Sequence, residues 1–154
     1  MKGPAGSGGS LPPESAAPFT REHAQLEPVI EQIRQLADEL PGLPATAIKG
    51  RLAELGVLLK QQLIPHEAHD DAQVYPQLTP LLGGDDPLAS MNAMHREIFH
   101  VTRTLNRMAT DMAADGPDSD WLSEIQRLLY GLYAVVHLHC AQEDELFHAL
   151  ADRT

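Results

Sequence analysis

The chain has 154 residues, 22 acidic against 11 basic for a formal charge of −11, and a 43% apolar fraction that includes only 5% aromatic residues. A length of this order suits one domain around one core, and the negative potential disfavours phosphate backbones and anionic headgroups, so neither nucleic acid nor a membrane surface is expected as a partner. A core drawn mainly from Leu, Ala, Ile, Val and Met points to helix-on-helix packing and an all-α fold.

The first segment, 1–18, is dominated by Gly, Pro, Ser and Ala. It cannot bury enough apolar surface to offset the entropy of ordering and reads as a flexible arm ahead of a domain over 19–154. It has no apolar stretch of secretory type, and no run in the chain approaches the ~20 apolar residues that span a bilayer. With Cys140 as the single cysteine, intramolecular disulfides and multi-thiolate metal sites are excluded, and a reducing cytoplasm is the expected compartment.

Beyond the arm, Pro41-Gly42-Leu43-Pro44, Gly83-Gly84-Asp85-Asp86-Pro87 and Asp115-Gly116-Pro117-Asp118 divide the chain into four segments. Each carries apolar residues at helical three-and-four spacing. The first has Leu26, Ile30, Ile33, Ala37 and Leu40, and the second Ile48, Leu52, Leu55, Leu59 and Leu63. The third has Met91, Met94, Ile98, Leu105 and Met112, and the fourth Ile125, Leu128, Leu132, Val136, Leu146 and Leu150. Short links make sequential helices antiparallel, which predicts an up-down-up-down four-helix bundle. Pro65 is expected to kink the second helix by removing a backbone donor and crowding the preceding turn.

Polar residues interrupt these stripes where an apolar residue is due. His23 precedes Leu26 by three; His66 and Asp70 extend the Leu59–Leu63 row; His95 falls three before Ile98; His139 and Glu143 fill the gap between Val136 and Leu146. All six are expected to point inward. Early positions on odd helices lie level with late positions on even ones in an antiparallel bundle, so the six can meet in one layer. Buried carboxylates demand a compensating charge, which divalent cations supply. The i, i+4 pairs His66/Asp70 and His139/Glu143 repeat between the halves of the chain, as two ions bridged by carboxylates would require. Imidazole and carboxylate without thiolate suit iron, manganese or zinc, and two ions in a bundle core favour iron.

The segments His66-Glu67-Ala68-His69-Asp70-Asp71, running on to Val74-Tyr75-Pro76, and His139-Cys140-Ala141-Gln142-Glu143-Asp144-Glu145 resemble the paired motifs of hemerythrin-like (HHE cation-binding) domains over roughly Phe19 to the C-terminus. The resemblance implies a four-helix bundle around two iron ions, held by His23, His66, Asp70, His95, His139 and Glu143. It also implies binding of dioxygen or a related small oxidant, or a role in oxygen, nitric oxide, peroxide or iron handling. Two positions depart from the pattern of the classical oxygen carriers: Phe99 stands where they place a second histidine four residues after the helix-three ligand, and Asp70 where Glu is usual. The first leaves one ion with fewer imidazoles and room for peroxide chemistry. A di-iron peroxide-degrading enzyme and a metal-stabilised helical interaction module are the alternatives.

The other histidines read differently. His137, two after His139, is turned about 200° away, and His100 and His148 are off their stripes, so all three are expected at the surface. His69 and Glu27 lie near enough to the seam to serve as neighbours of the ligands or as alternative ligands. Glu97-Ile98-Phe99-His100 and Glu145-Leu146-Phe147-His148 match the Glu-x-x-His signature of ferritin-like di-iron proteins, but their Glu and His flank a buried Ile98 or Leu146 and should face outward. Cys140 reads as a small buried filler, with a redox-responsive thiol as the alternative, and Tyr75, which follows the helix-two pair, as a packing residue, with an approach to the site as the alternative.

Overall fold

The computed structural model describes residues 13–112 and 116–152, with side chains from residue 21 onward. The described residues form a four-helix bundle without strands. Its first member is α1 (Pro13–Glu39), closed by a 3-10 turn at Leu40–Gly42. The second member is interrupted: α2 (Ala45–Leu58), a π-type turn at Leu59–Leu63, α3 (Ile64–His69), a second π-type turn at Asp70–Val74, and α4 (Tyr75–Leu78). The third is α5 (Ala89–Thr110) and the fourth α6 (Ser119–Ala151). α1 and α5 both pack along α6, and α2 lies against α5. The N-terminal arm expected over 1–18 falls outside the described residues up to residue 12, and α1 already runs from Pro13.

The interrupted second member traces to its prolines. Pro65 and Pro76 each follow a π turn, in which the Ile64 N–H bonds to the Leu59 carbonyl and the Tyr75 N–H to the Asp70 carbonyl, five residues back. A proline in a regular helix clashes with the carbonyl four residues earlier, and the wider π turn gives that carbonyl room. The disturbance expected at Pro65 includes a π turn immediately before it. At the links, Gly84 and Gly116 hold φ of +98° and +99°, a conformation costly for any residue with a Cβ. Asp118 caps α6, its carboxylate accepting from the Trp121 N–H at 2.8 Å.

The stripes bury largely as their spacing predicts, with Leu129 and Phe147 taking the deepest places beside the half-buried Leu128 and Leu146. The apolar interior is divided. One cluster fills most of the bundle, from Leu40 and Ile48 to Leu26, Leu63, Ile98 and Cys140. A second closes one end, built from Val74, Tyr75, Leu78, Leu88, Met91, Phe147 and Leu150. Between Leu63 and Val74, Met91 and Ile98, and Val136 and Phe147, each member presents polar side chains instead, so a buried polar layer is held between two dry ones.

Candidate metal centre

The layer contains His23, Glu67, Asp70, His95, His139 and Glu143, each less than a tenth exposed, with His66 at its edge, its side chain 9% exposed. All six expected residues converge. Glu67, which the spacing argument passed over, joins them with no exposed surface. Leu63, Glu67 and Asp70 run at a four and then a three, as much a helical face as Leu63, His66 and Asp70 at a three and then a four. His66 and Glu67 therefore both reach the layer, Glu67 the more deeply.

Glu67, Asp70, His95, His139 and Glu143 bring one donor atom each to within 4.8 Å of one another, and His23, His66 and Asp70 do the same. Asp70 belongs to both groups. In the first, His95 Nε2 and His139 Nε2 are 2.7 Å apart, with Glu67 Oε2 at 2.6 and 3.0 Å from them. Glu143 Oε1 lies against His139 Nε2 without hydrogen-bond alignment, and Glu143 Oε2 is 3.9 Å from His23 Nε2. In the second, His66 Nε2 is 3.3 Å from Asp70 Oδ2.

Outer carboxylates fix how the imidazoles face. His95 Nδ1–H donates to Asp71 at 2.5 Å and His23 Nδ1–H to Asp144 at 2.7 Å, while His66 Nδ1 faces Glu22 at 3.5 Å. The two hydrogen bonds hold the outer nitrogens of His95 and His23 and turn their Nε2 atoms inward, the arrangement that orients metal-bound histidines and raises their basicity. The inner atoms lack partners: His66 Nε2, Glu67 Oε1, both oxygens of Asp70, both of Glu143 and His139 Nδ1 are buried without a hydrogen bond. Leaving such atoms unmade costs about 1–3 kcal/mol each. A cation among them satisfies acceptors that no protein donor reaches, so the donor set fits metal ions.

Without metal, protons are the available cations, and the ionisation of the layer reflects this. Burial works to raise the Glu67 carboxyl, but His139 and His95 hold it down to about 2. Burial works to lower the His139 imidazole, yet Glu143 and Glu67 lift it to about 10. His95 and His66 are raised against burial by Glu67 and Asp70 respectively. Glu143 is raised, chiefly by burial. Metal must displace these protons to bind.

Matched against known families, residues 16–151 fit the hemerythrin HHE cation binding domain. The chain belongs to the hemerythrin family. No curated protein and no solved structure matches it significantly. Its hemerythrin fold thus carries a buried cluster of histidines and carboxylates arranged as a site for metal and a small oxidant.

The remaining expectations sort by exposure. His137, His100, His148 and the Glu97 and Glu145 carboxylates face outward, as expected for residues off the hemerythrin-type layer. His69 is exposed and contributes nothing to either donor group. Glu27 is exposed but lines a cavity of about 350 Å³ between α1 and α6, together with His23, His137, Cys140 and Asp144. Cys140 is buried and its thiol is pushed up by that burial, which keeps it a filler. Phe99 is half-buried, its ring 6.3 Å from that of His95, and supplies no donor. Among the described residues no helix is long and apolar enough to cross a membrane.

Proposed function

We propose that this hemerythrin-family chain is a non-haem di-iron protein that binds dioxygen or a related small oxidant. The observation that carries the reading is the pair of donor groups sharing Asp70, since a carboxylate common to both groups can serve two adjacent ions. Three carboxylates, Glu67, Asp70 and Glu143, set against two divalent cations leave a small positive balance that favours an anionic or polarisable ligand. Iron held there would supply reversible electron exchange with such a ligand.

The chain's own part is to bind, orient and enclose. Asp71 and Asp144 hold His95 and His23 with Nε2 inward. The two apolar clusters keep bulk water from either side of the layer, which strengthens every charge interaction within it. The cavity beside His23 gives small solutes an approach between α1 and α6. Phe99, in place of a donor, favours an open coordination position and hence peroxide degradation as the second reading. A reducing, cytoplasmic setting belongs to the proposal and is supported by the lone buried Cys140.

Protein purified without added metal is expected to contain about two irons per chain, with charge-transfer absorption in air that bleaches on reduction. Zinc alone, or no metal, would remove the redox reading. Catalytic loss of added peroxide would favour the second reading over reversible binding. Within the same preparation, His66→Ala and His139→Ala should lower the metal content, whereas His137→Ala, on the outward side of α6, should leave it unchanged. Equal loss in all three would contradict the assignment of faces.

A further inference from the structure

Tyr75 is buried, at 4% exposure, and sits against the metal layer as well as in the apolar end cluster. Its position depends on the second π turn. In a regular helix a residue five after Asp70 would be turned about 140° from it. Here the Tyr75 N–H bonds to the Asp70 carbonyl and the extra residue returns Tyr75 to the inward face, with Val74 buried beside it. The phenol ring lies nearly parallel to His95, with an interplanar angle of 12° and centroids 5.0 Å apart. That stacking brings the hydroxyl to 3.3 Å from His95 Nε2, the same nitrogen that faces Glu67 and His139.

A metal ion bound by His95 takes the Nε2 lone pair, so the Tyr75 O–H cannot donate to that nitrogen. The hydroxyl is enclosed with the rest of the side chain, and a buried donor left unpaired is costly. We propose that Tyr75 is a positioning residue whose hydroxyl donates a hydrogen bond to the small ligand held beside His95, selecting ligands with a free oxygen or nitrogen lone pair at that end. This inference rests on the metal reading of the centre. It gives the π turn a purpose, since the turn aims one donor at the ligand position from an otherwise apolar wall.

The test uses the full chain in its oxidised, metal-loaded form with azide as probe, comparing wild type with Tyr75→Phe, which preserves ring volume and stacking. Metal content and Tm are measured alongside. The expected result is unchanged metal content with an azide Kd raised about tenfold, the scale of one hydrogen bond lost. In wild type, the infrared stretch of bound azide should shift between H2O and D2O, a readout that needs no variant, and the shift should vanish in Tyr75→Phe. An unchanged Kd, or no isotope shift in wild type, overturns the inference while leaving the di-iron reading intact. Loss of metal in Tyr75→Phe also overturns it, by making the phenol part of the metal's own shell. Absence of metal from wild type overturns the di-iron reading itself, and the inference falls with it.

Discussion

Glu67→Ala should strip the protein of most of its bound metal, taking the content from about two ions per chain to fewer than one and weakening affinity by more than about 100-fold. The lower bound comes from the 10–100-fold losses usual when a mere neighbour of a ligand is removed, and Glu67 is placed closer than that. Its carboxylate reaches both His95 Nε2 and His139 Nε2, so without it the two nitrogens face each other at 2.7 Å and lose the one oxygen close to both, Glu143 Oε1 lying against His139 but 4.0 Å from His95 Nε2. Glu67→Gln separates charge from volume: it fills the same space and should lose nearly as much metal. Glu145→Ala, on the exposed side of α6, is the control and should behave as wild type. Elemental analysis and competition against a chelator give both numbers. Full metal retention in Glu67→Ala would mean that the six other residues suffice.

Glu67 is hidden in the sequence for a geometric reason. From Leu63 to Asp70 is seven residues, and a helix covers that interval through either 66 or 67. Choosing His66 as the inward residue is correct as far as it goes, but it treats the two as exclusive, and a real helical face is wide enough for both. The π turns add to the ambiguity, because each inserted residue rotates the rest of the helix about its axis. Tyr75 is the clearest case: it falls off the 63–70 row by regular spacing and returns to it only through the turn at Asp70–Val74. Pro65 and Pro76 are visible signs of disturbance, but a proline does not say whether a π turn will precede it.

The four-helix architecture, by contrast, is legible because three proline- and glycine-rich breaks and four periodic stripes agree on one solution. The convergence of His23, His95 and the two i, i+4 pairs comes from their heights alone. Asp71 and Asp144 are not legible as partners of His95 and His23. They lie 24 and 121 residues from the histidines they hold, on the flank of the layer where spacing does not distinguish a solvated carboxylate from one bonded across helices. Their role depends on inter-helix register, which the stripes specify only to within about a turn.

Removing the metal with a chelator should leave the bundle helical but less stable, and the size of the loss should depend on pH. The helices persist because the two apolar clusters do not depend on the polar layer. A ligand present at 100 times its Kd contributes about 2.7 kcal/mol to the folded state, so for a chain of this length Tm should drop by roughly 5–10 °C. In the metal-free form, protons take the place of metal. His139, raised to about 10 from an ordinary value of about 6.5, contributes stability that is complete below about pH 6.5 and is lost as pH rises through about 10. Glu67, lowered to about 2 from about 4.5, contributes stability that is complete above about pH 4.5 and is lost as pH falls through about 2. The metal-free protein should therefore be most stable between about pH 4.5 and 6.5. Metal binding runs the other way on the alkaline side, because it needs His139 and its neighbours deprotonated and releases their protons. The Tm gap between loaded and metal-free protein should thus widen from pH 6.5 towards 10, with proton release measurable in weakly buffered solution. A gap that stays flat with pH, or metal uptake without proton release, would mean that the ions bind somewhere other than among these histidines and carboxylates.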